Sequence, residues 1–168
     1  KEYNTRFHIL HISTEKELSL FDNSLPLKEK RITAEACVHH LWFDQSQYEE
    51  KGALIKWNPA VKSAQDRDAI FQAVLDNKID VVATDHAPHS QHSKEMPFDQ
   101  APPGMLGLET ALSLSLEHSG LDLPGILGLL SWQPAKIAGV DDRHGMTIEK
   151  ENPANLCVID LDETWTVS

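Results

Sequence analysis

The chain is organised as short apolar runs, each giving way to a polar or ligating residue and then to a stretch with helical spacing. Arg6 to Ile12 predicts a strand, and Ser13-Thr14 ahead of Glu15 to Phe21 predicts a capped helix start, together one βα unit. Ile32 to Val38 predicts a second strand running into His39-His40, and Leu54 to Trp57 a third, closed by Asn58-Pro59. From Ser63 to Asp76, the residues Ala64, Ile70, Phe71, Val74 and Leu75 recur at helical spacing, with Ser63 placed to cap. Val81 to Thr84 predicts a fourth strand, apolar enough to be covered on both faces, and Pro88 prevents its continuation. Ser90 to Gly104 is polar and proline-rich and predicts a long loop. Glu109 to His118, Leu123 to Trp132 and Gln133 to Ala138 predict helices, with Gly139 as the stop. Beyond it, Gly145 to Ile148 and Leu156 to Ile159 predict short strands of a separate, β-rich region.

Four strands alternating with helices imply a parallel α/β architecture. No glycine-rich phosphate loop follows any strand, so dinucleotide and P-loop chemistry is disfavoured. What recurs is chemistry at strand ends: His11 after the first, His40 after the second, Asn58 after the third, Asp85 and then His89 after the fourth. Carboxyl ends of parallel strands are where ligands and catalytic groups gather. Two imidazoles and a carboxylate form a donor set suited to zinc, with a position left for water. Each group also has a plainer reading. Asp85 can cap the turn after its strand, Asn58 can be a turn residue before Pro59, and Pro102-Pro103-Gly104 can be loop punctuation, although Gly104 would let a ligand approach the backbone closely. His39 and His40, adjacent on a strand, would face opposite ways, so one of them at most joins a given cluster, and periodicity does not say which. His8, His92, His118 and His144 read as structural, hydrogen-bonded histidines.

Composition narrows the partners. The 168 residues are 40% hydrophobic, enough for a packed core of one domain's length. Twenty-six acidic against 15 basic residues give a formal charge of -11, which argues against non-specific nucleic-acid binding and attachment to an anionic membrane, leaving small molecules or partners that tolerate an acidic surface. No apolar run reaches membrane-spanning length, and no leader pattern is present. Cys37 and Cys157 have no metal-site spacing and imply no disulfide framework, which fits a reducing, cytoplasmic setting. The first residue is Lys1 rather than Met, so further sequence is expected ahead of it.

The run Ala83-Thr84-Asp85-His86-Ala87-Pro88-His89 resembles the signature of dihydroorotases, members of the amidohydrolase superfamily. Further matches stand in order around it: His11-Ile12-Ser13-Thr14, Thr33-Ala34-Glu35-Ala36 leading to His40-Leu41, Lys56 with Asn58-Pro59, Ala101 to Gly104, and Gly107 to Thr110. Gln133-Pro134-Ala135-Lys136 resembles a late Asn-Pro-Ala segment. The resemblance implies the carboxyl-terminal half of a TIM-type (β/α)8 metal-dependent hydrolase barrel over residues 1–140, resembling strands five to eight. Residues 141–168 would form part of a small β-sandwich. It implies the reversible cyclisation of N-carbamoyl-L-aspartate to L-dihydroorotate in pyrimidine biosynthesis, with one or two zinc ions.

By motif, His11 and His40 resemble ligands of one zinc, Asp85 resembles a ligand of the other and the proton shuttle, and Asn58, His89, Pro103 and Gly104 resemble substrate contacts. The family's His-x-His pair, its carboxylate-binding arginine and its bridging lysine have no counterpart and would precede Lys1, while Glu151 and Asn155 replace a usual Gly and Asp. The chain is therefore expected to need an amino-terminal half of the barrel and to be inactive alone. It would be part of a longer enzyme, a cleavage product or a half that pairs with another chain. A homo-oligomer and an aspartate transcarbamoylase partner are further implications. The alternatives are a hydantoinase- or allantoinase-type cyclic amidohydrolase and a non-catalytic dihydroorotase-like subunit.

Overall fold

A computed structural model describes residues 2–143, 147–164 and 166. Three strands form a parallel sheet in the order β1-β2-β3: β1 is Phe7–Ile9, β2 is Ile32–Cys37 and β3 is Val81–Ala83. Phe7 pairs with Ile32 and Ile9 with Ala34, and Glu35 pairs with Val81 and Cys37 with Ala83, so all three strands end at one edge. The helices are α1 (Val38–Trp42), α2 (Tyr48–Lys51), α3 (Ala64–Leu75), α4 (Gln91–Lys94), α5 (Ala111–His118), α6 (Leu123–Leu127) and α7 (Gln133–Ala138). A π-helical turn, Gly128–Trp132, joins the last two into one run. Gly139, at φ 67°, ends it in the left-handed conformation that glycine adopts without a Cβ penalty.

The two faces of the sheet differ because strand side chains alternate. Ala34 and Ala36 of β2 and Val82 of β3 pack with Ile70, Ala73 and Val74 of α3 in the main core. On the other face of β2 stand Thr33, Glu35 and Cys37, beside His8 of β1: the His8 Nδ1 lies 2.8 Å from the Thr33 hydroxyl, and its Nε2 lies 3.5 Å from Glu35. Helix α3 begins where sequence places it, because Ser63 and Asp66 form a reciprocal cap in which the Ser63 hydroxyl donates to Asp66 at 2.6 Å. Asp66 also accepts from the Glu15 N–H at 2.9 Å, tying α3 to the turn that follows β1. The amino edge of the sheet is closed by a buried ion pair, Lys30 Nζ donating to Asp80 at 2.6 Å, and Asp80 accepts the Ala34 N–H at 3.0 Å.

Several sequence expectations are corrected. Leu54 to Trp57 is not a strand: Gly52–Ile55 is a 3-10 turn, and Ile55, Trp57 and Val61 form a small cluster of their own. The alternation of buried Ile55 and Trp57 mimics a strand, yet both side chains feed that local cluster. The element after β1, Glu15–Leu20, is also 3-10, capped by Thr14 and Glu17. His39 and His40 lie not on a strand but on α1, which opens directly from β2. Leu156 to Ile159, exposed apart from a half-buried Ile159, forms no strand, since among the described residues it has no neighbouring strand to bond. His144 and Gly145 lie outside the described residues.

Candidate metal centre at the carboxyl edge of the sheet

The chain leaves the carboxyl ends of all three strands through chemically loaded residues. Two of them carry positive φ, unusual for a residue with a side chain: His11 at 39°, two residues after β1, and Asp85 at 46°, two residues after β3. Such conformations persist where surrounding contacts over-determine them, and they cluster at functional sites. The backbone around His11 is pinned by the neighbouring strand, the Ile12 N–H donating to the Glu35 carbonyl at 2.8 Å and the His11 N–H to the Glu35 carboxylate at 3.4 Å.

At the end of β2, Cys37, His39 and His40 are all buried, and one ligating atom from each lies within 4.8 Å of the others. The switch from strand to helix explains why both histidines point inward. Neighbouring residues on a helix are about 100° apart rather than opposed, and the two rings stack with centroids 4.3 Å apart. His39 is held on its far side by Trp57, centroids 4.4 Å apart. His40 Nε2 lies 2.8 Å from the Pro59 carbonyl, the backbone acceptor presented by the Asn58-Pro59 turn, whose peptide bond is cis. With that nitrogen donating, the lone pair of His40 sits on Nδ1, the second-nitrogen arrangement usual for a ligating histidine.

His40 Nδ1 and both nitrogens of His39 are buried and make no hydrogen bond within the structure. Buried polar atoms without a partner are costly, about 1–3 kcal/mol each, and of these three nitrogens the His40 Nδ1 and one nitrogen of neutral His39 carry lone pairs open to a proton donor or a cation. Burial pushes the His39 pKa down to about 3, with the nearby His40 and His11 rings adding to the shift, so His39 is neutral near pH 7. Burial also lowers His40, opposed by the Pro59 hydrogen bond. Neutral imidazole is the form that binds metal. Burial, then the Glu35 and Asp85 carboxylates, push the Cys37 thiol well above its ordinary value.

His11 and Asp85 both lie within electrostatic reach of His40. Three of the sequence-predicted ligands, His11, His40 and Asp85, are therefore gathered at one edge, although His11 and Asp85 stand outside the tight Cys37-His39-His40 group. Sequence reasoning admitted only one of His39 and His40 and passed over Cys37. The signal that could have found them is the spacing Cys-x-His-His at a strand end, where a change to helix turns both rings to one side.

Of the remaining predicted residues, His89, Pro103 and Gly104 meet one another. The His89 Nε2 lies 3.1 Å from the Pro103 carbonyl. Gly104 has φ 147°, and a Cβ there would sit 2.5 Å from the Ala87 carbonyl and 2.9 Å from the His89 ring, so only glycine fits. The loop is held from beneath by two lysines that sequence patterning did not single out as scaffold. Lys94 Nζ donates to the carbonyls of Gly104 at 2.9 Å, Lys56 at 3.1 Å and Pro102 at 3.2 Å. Lys56 Nζ donates to Phe98 and Ala101, both at 2.6 Å. The backbone at Ala87 pairs with Met105, its N–H donating at 3.0 Å, which fixes the turn after Asp85 against the loop. Asn58 is exposed beside the His40 anchor.

Comparison with known proteins shows what the chain is similar to. Over 176 residues the chain is 41% identical to the dihydroorotase of Mycobacterium leprae, a match covering 100% of this chain and 40% of that protein. It is 37% identical over 167 residues to the dihydroorotase of the Wolbachia of Brugia malayi, covering 98% of this chain and 37% of that protein. This chain is a dihydroorotase homologue. It spans about 40% of the length of the curated relatives it matches. No family model matches it.

Among solved structures, the L-hydantoinase of Arthrobacter aurescens superposes with a TM-score of 0.74 at 25% identity, covering 84% of this chain and 33% of that one. The dihydroorotase of Saccharomyces cerevisiae in complex with 5-fluoroorotic acid superposes with a TM-score of 0.70 at 17% identity, covering 82% and 39%. The dihydroorotase homologue thus shares its α/β fold with part of both.

Proposed function

We propose that this chain supplies one wall of a zinc-dependent dihydroorotase active site, as the second half of a (β/α)8 barrel in residues 1–140 followed by part of a small β-sandwich in residues 141–168. The observation that carries the reading is homology to dihydroorotases over the whole of this chain, about 40% of their length, coinciding with buried, unpartnered imidazole nitrogens at the carboxyl edge of a parallel sheet. A carboxylate and two imidazoles suit a borderline cation: His40 is buried with its Nδ1 unpartnered, His11 is half-buried and Asp85 is exposed at the same edge.

His11, His40 and Asp85 are the ligands in this reading. The bound metal supplies Lewis-acid polarisation of the scissile amide. Asp85 accepts a proton from the attacking water and returns it to the ring nitrogen as the carbon–nitrogen bond breaks, giving N-carbamoyl-L-aspartate; cyclisation runs the same steps backward. Asn58, His89 and the backbone of Pro103 and Gly104 hold the substrate, and the Lys56-Lys94 carbonyl network keeps that loop in place. The other wall comes from the amino-terminal half of the barrel. The setting is cytoplasmic and the assembly a homo-oligomer, with aspartate transcarbamoylase as a further partner.

The test is hydrolysis of dihydroorotate by the native protein, with and without chelator, and by its Asp85→Asn variant. Turnover should be lost with the metal and should fall by about two or more orders of magnitude in the variant. Turnover indifferent to chelator, or near-normal rates with Asn, would overturn the reading. A second reading, a hydantoinase-type cyclic amidohydrolase, is favoured by the likeness to L-hydantoinase. Cleavage of hydantoins in preference to dihydroorotate would establish it.

A further inference from the structure

We infer that Cys37, His39 and His40 form a sulfur-containing site for a thiophilic divalent cation of the zinc class, overlapping the His11-His40-Asp85 set at His40 and differing from it in Cys37 and His39. The donors are in place before any ion arrives: each residue contributes an atom within 4.8 Å of the others. All three are more than nine-tenths buried, at 0% exposure for Cys37, 1% for His39 and 3% for His40. Tetrahedral zinc with one sulfur and two nitrogen ligands needs donor–donor separations of about 3.5 Å, so the group closes on an ion with displacements of about an ångström.

The cluster's hydrogen bonding singles out this use. His39 has no hydrogen bond at either nitrogen, which a purely structural buried histidine normally has. Ring contacts with His40 and Trp57 fix its plane and leave the nitrogens at the ring edge free to coordinate. His40 offers Nδ1, its other nitrogen being engaged by Pro59. Cys37 occupies the last position of β2, on the face that carries Glu35, whose carboxylate lies 3.9 Å from the sulfur. Coordination releases the thiol proton to that carboxylate and on to solvent, and the thiolate charge then partly neutralises the cation. Sulfur among the ligands biases the site toward zinc and away from magnesium or calcium.

The site and the proposed hydrolytic centre both call on His40 Nδ1, whose single lone pair serves one ion at a time; the two readings still fail separately, because dihydroorotate turnover tests one and a sulfur–metal signature tests the other. Cobalt(II) is added to the native protein carrying Cys157→Ser, which removes the exposed second cysteine, and the near-ultraviolet thiolate-to-cobalt charge-transfer absorption is read. The band should be present there and lost on further Cys37→Ser substitution. Zinc affinity, measured by competition with a chromophoric chelator, should fall about tenfold or more in Cys37→Ser and in His39→Gln. No band in the folded Cys157→Ser protein, or a band that survives Cys37→Ser, overturns the inference. Should Cys37→Ser fail to fold, the Cys157→Ser spectrum and the His39→Gln affinity decide it alone.

Discussion

Replacing Lys30 with methionine removes one partner of the buried ion pair that closes the amino edge of the sheet. Lys30 and Asp80 are 6% and 4% exposed. The ammonium donates to Asp80 at 2.6 Å and to the Asn77 carbonyl at 2.9 Å, while the second Asp80 oxygen accepts the Ala34 N–H at 3.0 Å. Lys30→Met keeps the Ala34 hydrogen bond but leaves the carboxylate buried without a counter-charge, an arrangement that costs about 3–5 kcal/mol. Against a total domain stability of about 5–15 kcal/mol, that is a large share.

The double variant Lys30→Met/Asp80→Leu removes both charges and leaves one buried group, the Ala34 N–H, unpaired, for about 1–3 kcal/mol, while the carbonyl of the exposed Asn77 turns to water. The double variant should therefore be more stable than Lys30→Met alone, with a coupling energy of about 2 kcal/mol or more. Urea unfolding followed by circular dichroism, with chelator present to remove any contribution from bound metal, measures each free energy. A Lys30→Met cost below about 1 kcal/mol, or singles that simply add up in the double, would refute the reasoning. The pair sits at the opposite end of the sheet from the candidate metal centre, so metal affinity should not change when the protein remains folded.

Two further outcomes follow from local geometry. Gly104→Ala places a methyl against the Ala87 carbonyl and the His89 ring at a backbone angle that suits only glycine; strain of about 1–3 kcal/mol should raise the KM for dihydroorotate about tenfold, and an unchanged KM would count against Gly104 as a substrate contact. The Ser63 hydroxyl, donating to Asp66, holds that carboxyl below its ordinary value of 3.8. A depressed folded-state pKa contributes stability that is present above pH 3.8 and is lost as pH falls through the lowered value. Asp66→Asn should therefore flatten the acid limb of the stability curve between about pH 2 and 5, and an unaltered slope in pH-dependent unfolding would contradict the capping role.

The residues that sequence read well are those whose signals are local. Ser63 with Asp66 announces α3, the β-branched run before Asp85 announces β3, and Gly139 announces the end of α7. The motif order from His11 to Gln133 was legible as a dihydroorotase resemblance, and homology over the whole of this chain agrees. The pattern misled at Leu54 to Trp57, where a two-residue alternation reflects packing of Ile55 and Trp57 into a small satellite cluster rather than strand pairing.

What the chain determined by itself is which residues carry chemistry and roughly where each element starts and stops, because caps, turns and apolar periodicity depend on neighbours a few positions away. The tertiary structure decided which of those residues meet. Parallel register brings His11, His40 and Asp85 to one edge from positions up to 74 residues apart. A strand that turns directly into helix at Cys37 aims both His39 and His40 inward. Burial, which depends on everything packed around them, keeps those two rings neutral and leaves three of their nitrogens without partners. No local pattern reports desolvation, and desolvation is what turns a pair of adjacent histidines into a metal-ready site.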